Sequence, residues 1–270
     1  MLKTRDQKEE ETELNLPDEK QEIYYKIQKG ITIDEKKMEH FAWRDAEYYD
    51  LCHGPYALNR RRRQIFHKRL NALEKALLFV LNGDLYNLKR KKVLDVGAGT
   101  ANFSLALSIW GADVTALDLN PEFAKIADEK LRRFGGRGIE GDAADMPFDD
   151  NEFDLIVTVN FIDGGDFPEE KMVKAIKEMM RVSKPGSYFI NLIRNGDHFY
   201  MRSKRGIYAV GKEKVLQLHN LTGLSLIKKG TFVIPPPWAG LKGFLGSVVQ
   251  YTPLSIFRGG IYFISKNDKV

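Results

Sequence analysis

With 270 residues, a single cysteine and a formal net charge of +5, the chain is long enough to bury a substantial core and cannot form an internal disulfide. No apolar run approaches the ~20 residues of a membrane-spanning helix, no signal-peptide core is read at the N-terminus, and no Cys/His spacing reads as a metal site. A disulfide-built scaffold and a helical membrane protein are thereby excluded, and a cytoplasmic globular protein with Cys52 reduced is expected.

Residues 1–16 are polar and charged and read as a mobile acidic tail. After Pro17 and Asp18, apolar Ile23, Tyr24 and Ile27 recur at helical spacing up to Gly30. Asp34 is placed to cap a second helix in which Met38, Phe41, Ala42, Ala46 and Tyr49 form one face, and His53, Gly54 and Pro55 break it. A third helix is expected from about Asn59 to Leu81, with Ile65, Leu70, Leu73, Leu77 and Val80 on its apolar side. Residues 17–85 thus read as a helical cap in front of an α/β domain spanning 86–270.

Within that domain, strand and helix signals alternate as a doubly wound parallel sheet requires. Val93 to Phe103, VLDVGAGTANF, reads as a buried strand, a glycine turn and the start of a helix. Gly111 ends that helix, and Asp113 to Leu119 forms the second strand. Asn120 and Pro121 then supply a cap and a first helical residue. Further on, Gly211 to Thr222 reads as a helix, Leu224 to Ile234 as a strand and Gly260 to Lys266 as the final strand. Between the last two lies an insertion at about 235–258, with three prolines, Trp238 and an apolar helical face of Leu241, Phe244, Leu245, Val248 and Val249. That face fits internal packing, a lid over an apolar substrate, or peripheral membrane contact.

Charge is distributed unevenly. Residues 1–22 carry a net of −4, 59–92 a net of +9, 93–195 a net of −7 and 196–270 a net of +8. The glycine-turn block is therefore acidic between basic flanks. Arg60 to Arg63 spread around a helix circumference rather than forming one patch, with Phe66 expected to face inward. Together with Lys68, Arg69 and Lys89 to Lys92 they could extend a surface suited to phosphate.

The glycine turn carries the chemistry. Gly97 and Gly99 can take backbone angles closed to other residues, and the helix that follows directs its amides at whatever lies above the turn. Asp118 ends the second strand about 20 residues later, where a carboxylate can grip the paired hydroxyls of a ribose. A dinucleotide site is the rival reading. Asn102 stands where the third glycine of that fingerprint belongs, and Asp95 would set a negative charge against a pyrophosphate. A carboxylate at that place suits a cationic group such as an ammonium.

The D-x-G-x-G pattern of Asp95, Gly97 and Gly99, with Asp118 beyond it, resembles motif one of class I S-adenosylmethionine-dependent methyltransferases. The likeness extends from about Val93 to Asn195. Arg137 to Phe148, RGIEGDAADMPF, looks like the family's third strand and the loop after it. Asn151 to Phe161 looks like the fourth strand, and Ala175 to Ile190, AIKEMMRVSKPGSYFI, like the helix, K-P-G turn and fifth strand. The branch it resembles includes the ubiquinone and menaquinone biosynthesis methyltransferases (methyltransferase type 11). This resemblance implies a Rossmann-like, mostly parallel seven-stranded sheet of order 3-2-1-4-5-7-6, its last strand antiparallel and inserted between its neighbours. It also implies a site for S-adenosyl-L-methionine built from Asp95, Gly97, Ala98, Gly99, Asp118, Leu119, Asp142, Ala143 and Asn160. Tyr49, in the segment Tyr48, Tyr49, Asp50, would cover the cofactor.

The family has no universal catalytic residue, because methyl transfer mainly requires alignment. His198 and Tyr200, just after the fifth strand, and Asp163, in the loop IDGGDFP, are candidates for a base, each also readable as an ordinary loop residue. His219 reads as structural or surface. Phe161 follows Asn160 where two prolines and an aromatic would mark methylation of exocyclic amino groups, so base N-methylation is disfavoured. The expectation is a methyltransferase acting on an oxygen or carbon of a small, apolar, aromatic or lipid-like acceptor. An RNA methyltransferase using the basic flanks, and a non-catalytic protein that binds the cofactor or a partner, remain alternatives. The sequence does not fix the oligomeric state.

Overall fold

The computed structural model describes residues 49–50, 54–55, 57, 60–161, 168–196, 211–232 and 259–269. The tail, the cap before Tyr49, Cys52, Asp163, His198, Tyr200 and the 235–258 insertion lie outside the described residues. Helices in chain order are α1 (Arg60–Val80), α2 (Asn102–Ile109), α3 (Pro121–Leu131), α4 (Glu169–Val182) and α5 (Lys212–Thr222). The strands are β1 (Lys92–Val96), β2 (Asp113–Asp118), β3 (Arg137–Glu140), β4 (Phe153–Val159), β5 (Ser183–Arg194), β6 (Ser225–Phe232) and β7 (Gly260–Lys266).

Period-two alternation in the strands sends apolar side chains to both faces of the sheet, and helices cover each face. Val93 joins Val157, Ile190 and Leu192 on one face, where Leu73 and Leu77 of α1, Leu107 of α2 and Leu131 of α3 pack. Leu94 and Val96 point to the opposite face and meet Met172, Ile176 and Met179 of α4 and Leu218 of α5. α1 thus shares a core with the sheet. Its arginine run does not behave as a unit: Arg60 is exposed, whereas Arg63 turns back to donate to the carbonyl of Ala57 at 2.5 Å. Phe66 is buried against Phe103, ring centroids 4.8 Å apart.

The sheet order is β3-β2-β1-β4-β5-β7-β6, as expected. β1 to β5 pair in parallel, and β7 runs antiparallel to both β5 and β6. Several boundaries moved by a residue: α1 ends at Val80, β6 begins at Ser225, and β2 stops at Asp118, leaving Leu119 outside. The larger difference is at K-P-G. Rather than a turn before the strand, Lys184, Pro185 and Gly186 fall inside β5 as a bulge. Ser183 pairs with Phe153 and the register resumes with Tyr188 opposite Leu155, so the edge residues loop out without ending the ladder.

His219 is structural. It is buried between α5 and β7, with Nδ1 2.7 Å from the Val215 carbonyl and Nε2 2.6 Å from Ser265 Oγ. A carbonyl only accepts, so Nδ1 carries the proton and Ser265 donates to Nε2. Burial holds its pKa below the usual histidine value.

The loop after β3 is held by one guanidinium. Arg181 donates to both Glu178 oxygens at 2.8 Å, to Asp150 Oδ1 at 2.8 Å, and to the carbonyls of Phe148 at 2.9 Å and Met146 at 3.0 Å. Glu178 in turn accepts the Met146 amide at 2.9 Å. Replacing Arg181 by Met leaves these acceptors unpaired on a partly buried loop. Urea unfolding should record a loss of about 2 kcal/mol, the scale of a charge-assisted hydrogen-bond network at a half-exposed site.

Candidate functional site

The site grows from the junction of β1 and β2. Parallel pairing sets Val96 beside Leu117, so the chain leaving β1 turns over the end of β2. There the amides of Gly97 and Ala98 both donate to the Leu117 carbonyl, at 2.8 and 3.1 Å. Gly97 and Gly99 adopt φ of +69° and +58°, in the left-handed region that glycine tolerates. A Cβ on Gly97 would fall 2.6 Å from the Phe161 ring, and one on Gly99 3.2 Å from the Tyr49 hydroxyl. The turn therefore faces two aromatic side chains, with Ala98 between the glycines.

Two carboxylates flank the turn. Asp118 accepts the Gly99 amide on Oδ2 at 2.7 Å and the Asn120 amide on Oδ1 at 3.0 Å. Burial raises its pKa and these amides pull it down, with the rise prevailing. Asp95 is 2% exposed and accepts the hydroxyl of Ser104, on α2, at 2.6 Å. Burial, opposed by that hydroxyl and reinforced by the charge of Asp118, lifts its pKa from 3.8 to about 7. Two acids in one low-dielectric neighbourhood resist ionising together, and a cation placed between them would relieve both.

The other anticipated residues fall around this centre. Leu119 emerges 60% exposed directly after Asp118, an apolar surface at the mouth of the turn. Asn160 follows β4, whose Thr158 pairs with Val96, so it stands beside the glycine turn. Its φ is +59°, and its buried Oδ1 accepts no hydrogen bond among the described residues. Asp142 lies on the loop after β3, where Oδ1 accepts the Ala144 amide at 2.9 Å and Oδ2 pairs with Lys171 at 3.0 Å. The Ala144 amide, ahead of Lys171, holds its pKa below the usual carboxylate value. Ala143 is buried beside it. Tyr49 is pushed up to about 12 by burial and so keeps its phenolic proton.

Sequence reasoning missed several polar partners. Ser104 lies nine residues beyond Asp95 and carries no motif signal. Thr100, Asn102 and Lys130 converge on Asp50, which their sequence separations conceal. Asn102 had served only as a missing glycine.

Chemically, the turn offers an orphaned acceptor at Asn160, two acids of raised pKa, one of them followed by exposed Leu119, and glycines that let a ligand approach the main chain. Such a set fits a ligand with an ammonium, a ribose diol and a flat ring. Residues 94–191 match the family model described as Methyltransferase domain. The chain is 41% identical over 108 residues to a demethylmenaquinone methyltransferase of Staphylococcus carnosus, covering 38% of this chain and 43% of that protein. It is 32% identical over 114 residues to a sterol 4-C-methyltransferase of Caenorhabditis elegans, covering 39% of this chain and 32% of that one. The chain thus spans less than half the length of these relatives. The fold is that of a SAM-dependent methyltransferase from Aquifex aeolicus, with a TM-score of 0.54 at 16% identity over 87% of this chain and 99% of that chain. The motif, the strand order and the matched residues agree: residues 94–191 are similar to the methyltransferase domain of class I S-adenosylmethionine-dependent enzymes of the type 11 branch.

Proposed function

We propose that the chain is a methyltransferase that uses S-adenosyl-L-methionine to methylate an oxygen or carbon of a small, apolar, quinone- or lipid-like acceptor. The observation that carries this reading is Asp118, fixed at the end of β2 by the Gly99 amide, with buried Asp95 at the other side of the same turn. The acceptor class is supported by the relatives, one acting on demethylmenaquinone and one on a sterol by name.

When bound, the cofactor supplies a sulfonium methyl group open to in-line displacement. The chain's own residues bind and orient. Each Asp118 oxygen already accepts one amide and keeps a lone pair for a ribose hydroxyl. Leu119 offers an apolar face to adenine, and Asp142 with the Ala143 amide borders it. Asp95 and Asn160 receive the ammonium end by charge and by hydrogen bond, while Gly97, Ala98 and Gly99 admit the main-chain approach. Tyr49 covers the turn. His198, Tyr200 and Asp163 are the proposed candidates for taking an acceptor proton, should the nucleophile carry one.

Replacing Asp118 by Ala removes two charge-assisted contacts to ribose. Calorimetry should find S-adenosylmethionine affinity about 100-fold weaker than in the wild type. Unchanged affinity would sink the role of Asp118. For the acceptor, label from a methyl-tritiated cofactor should pass into a demethylated naphthoquinol and not into RNA; the opposite result would redirect the reading to the basic flanks.

A pH dependence follows from Asp95. Its folded value of about 7 exceeds the 3.8 of the unfolded chain, so the folded apo protein holds a proton there that the unfolded chain has lost between those values. Stability from neutral Asp95 is therefore present at low pH and fades as pH rises through 7. A ligand ammonium favours the ionised form, so cofactor affinity should tighten from about pH 6 to about pH 7.5, a range in which α-amino groups remain protonated. In Asp95→Asn the titration should be nearly flat across that range.

A further inference from the structure

We propose that Asp50 and Lys130 form a latch that seats Tyr49 over the glycine turn and thereby sets how long the cofactor stays bound. Both are positioning residues, and the retention role rests on the cofactor reading above.

The Asp50 carboxylate is grasped from three directions. Oδ1 accepts the Thr100 hydroxyl and the Asn102 side-chain amide, the latter at 3.0 Å, and Oδ2 accepts Lys130 Nζ at 2.5 Å. Lys130 Nζ also donates to the Thr100 carbonyl at 2.8 Å and lies 3.4 Å from Asn102 Oδ1. Three segments are thus tied together: the stretch before α1, the glycine turn running into α2, and the last turn of α3. The ion pair spans 80 residues of sequence, and its side chains are 32% and 21% exposed. At that burial the attraction is screened less than that of a fully exposed pair.

α3 supplies a second point of attachment. Phe123 precedes Lys130 by seven residues, two helical turns, so both lie on one face. The Tyr49 ring packs on Phe123 with centroids 5.0 Å apart, while Lys130 holds the neighbouring Asp50. One helix face therefore fixes two consecutive residues, and the Tyr49 hydroxyl ends against Gly99. Asn102 has a positive task here. A glycine in its place would remove one donor to Asp50 and the side chain that Gly54, at φ +104°, lies against. Departure from the dinucleotide fingerprint and attachment of this wall are the same substitution.

The test is hydrogen–deuterium exchange on the full chain without cofactor, comparing wild type, Lys130→Met and Lys130→Arg. The peptide holding Tyr49 and Asp50 should exchange about tenfold faster in the Met variant, the scale of losing the ammonium's charge-assisted contact to Asp50. It should return toward wild type in the Arg variant, and peptides from β4 and β5 should keep their rates. Equal exchange in wild type and Lys130→Met would overturn the latch, as would acceleration spread evenly over the sheet. Stopped-flow dissociation of S-adenosylmethionine should then be about tenfold faster in Lys130→Met and restored by Arg. Should the two substitutions Asp50→Asn and Lys130→Met act as a unit, the double variant will release the cofactor no faster than the worse single one; additive effects would overturn a shared latch. A wild type that binds no S-adenosylmethionine would overturn the cofactor reading and the retention role with it, whereas the exchange result decides the latch by itself.

Discussion

The interaction on which the rest depends is the amide of Gly99 donating to Asp118. It is possible only because β1 and β2 are parallel neighbours in fixed register, so that the turn leaving one strand crosses the end of the other. The amides of Gly97 and Ala98 on the Leu117 carbonyl complete the junction. A carboxylate, three amides and two left-handed glycines are thereby held by the sheet rather than by loop contacts. Parallel sheets place such crevices at the carboxyl ends of their strands.

Electrostatics gives the junction its chemical bias. Asp95 and Asp118 are both displaced upward by burial, and the charge of Asp118 further disfavours ionisation of Asp95. Their amide and hydroxyl partners offset part of that cost without supplying a positive charge. Lys130 is committed to Asp50 and to the Thr100 carbonyl. Among the described residues neither Asp95 nor Asp118 forms an ion pair, so a ligand cation would meet both acids without a charged partner. A pyrophosphate would add to the repulsion. A sulfonium-bearing amino acid would lessen it, and this difference separates the proposed cofactor from a dinucleotide more firmly than the glycine count does.

Much of the fold was legible because local pattern and long-range outcome agree. Val93, Leu94 and Val96 are apolar on both sides because helices cover both faces, and Asn120 with Pro121 starts α3 as that pair ordinarily does; Asn120 accepts the Glu122 amide at 2.9 Å. The β5 boundary was misread because Pro185 and Gly186 are ordinarily turn residues. Here they occupy a bulge whose flanking residues still pair with β4. In the site, the acids and glycines were legible because their spacing along the chain is short and the chemistry is specific. Lys130 and Ser104 were not, since neither a lysine in an amphipathic helix nor a serine in a half-buried one differs from its neighbours until the fold brings Asp50 and Asp95 to them. Tyr49 was singled out by likeness alone; its contact with Phe123 gives it a physical reason.

The central claim is that this turn and its two acids receive a cationic nucleoside ligand. Calorimetric titration of the full chain near neutral pH with S-adenosylmethionine, its demethylated product and NAD tests it most directly. The predicted result is micromolar binding of both sulfur ligands and none of NAD. Binding of NAD without either sulfur ligand would contradict the roles of Asp95 and Asp118 together.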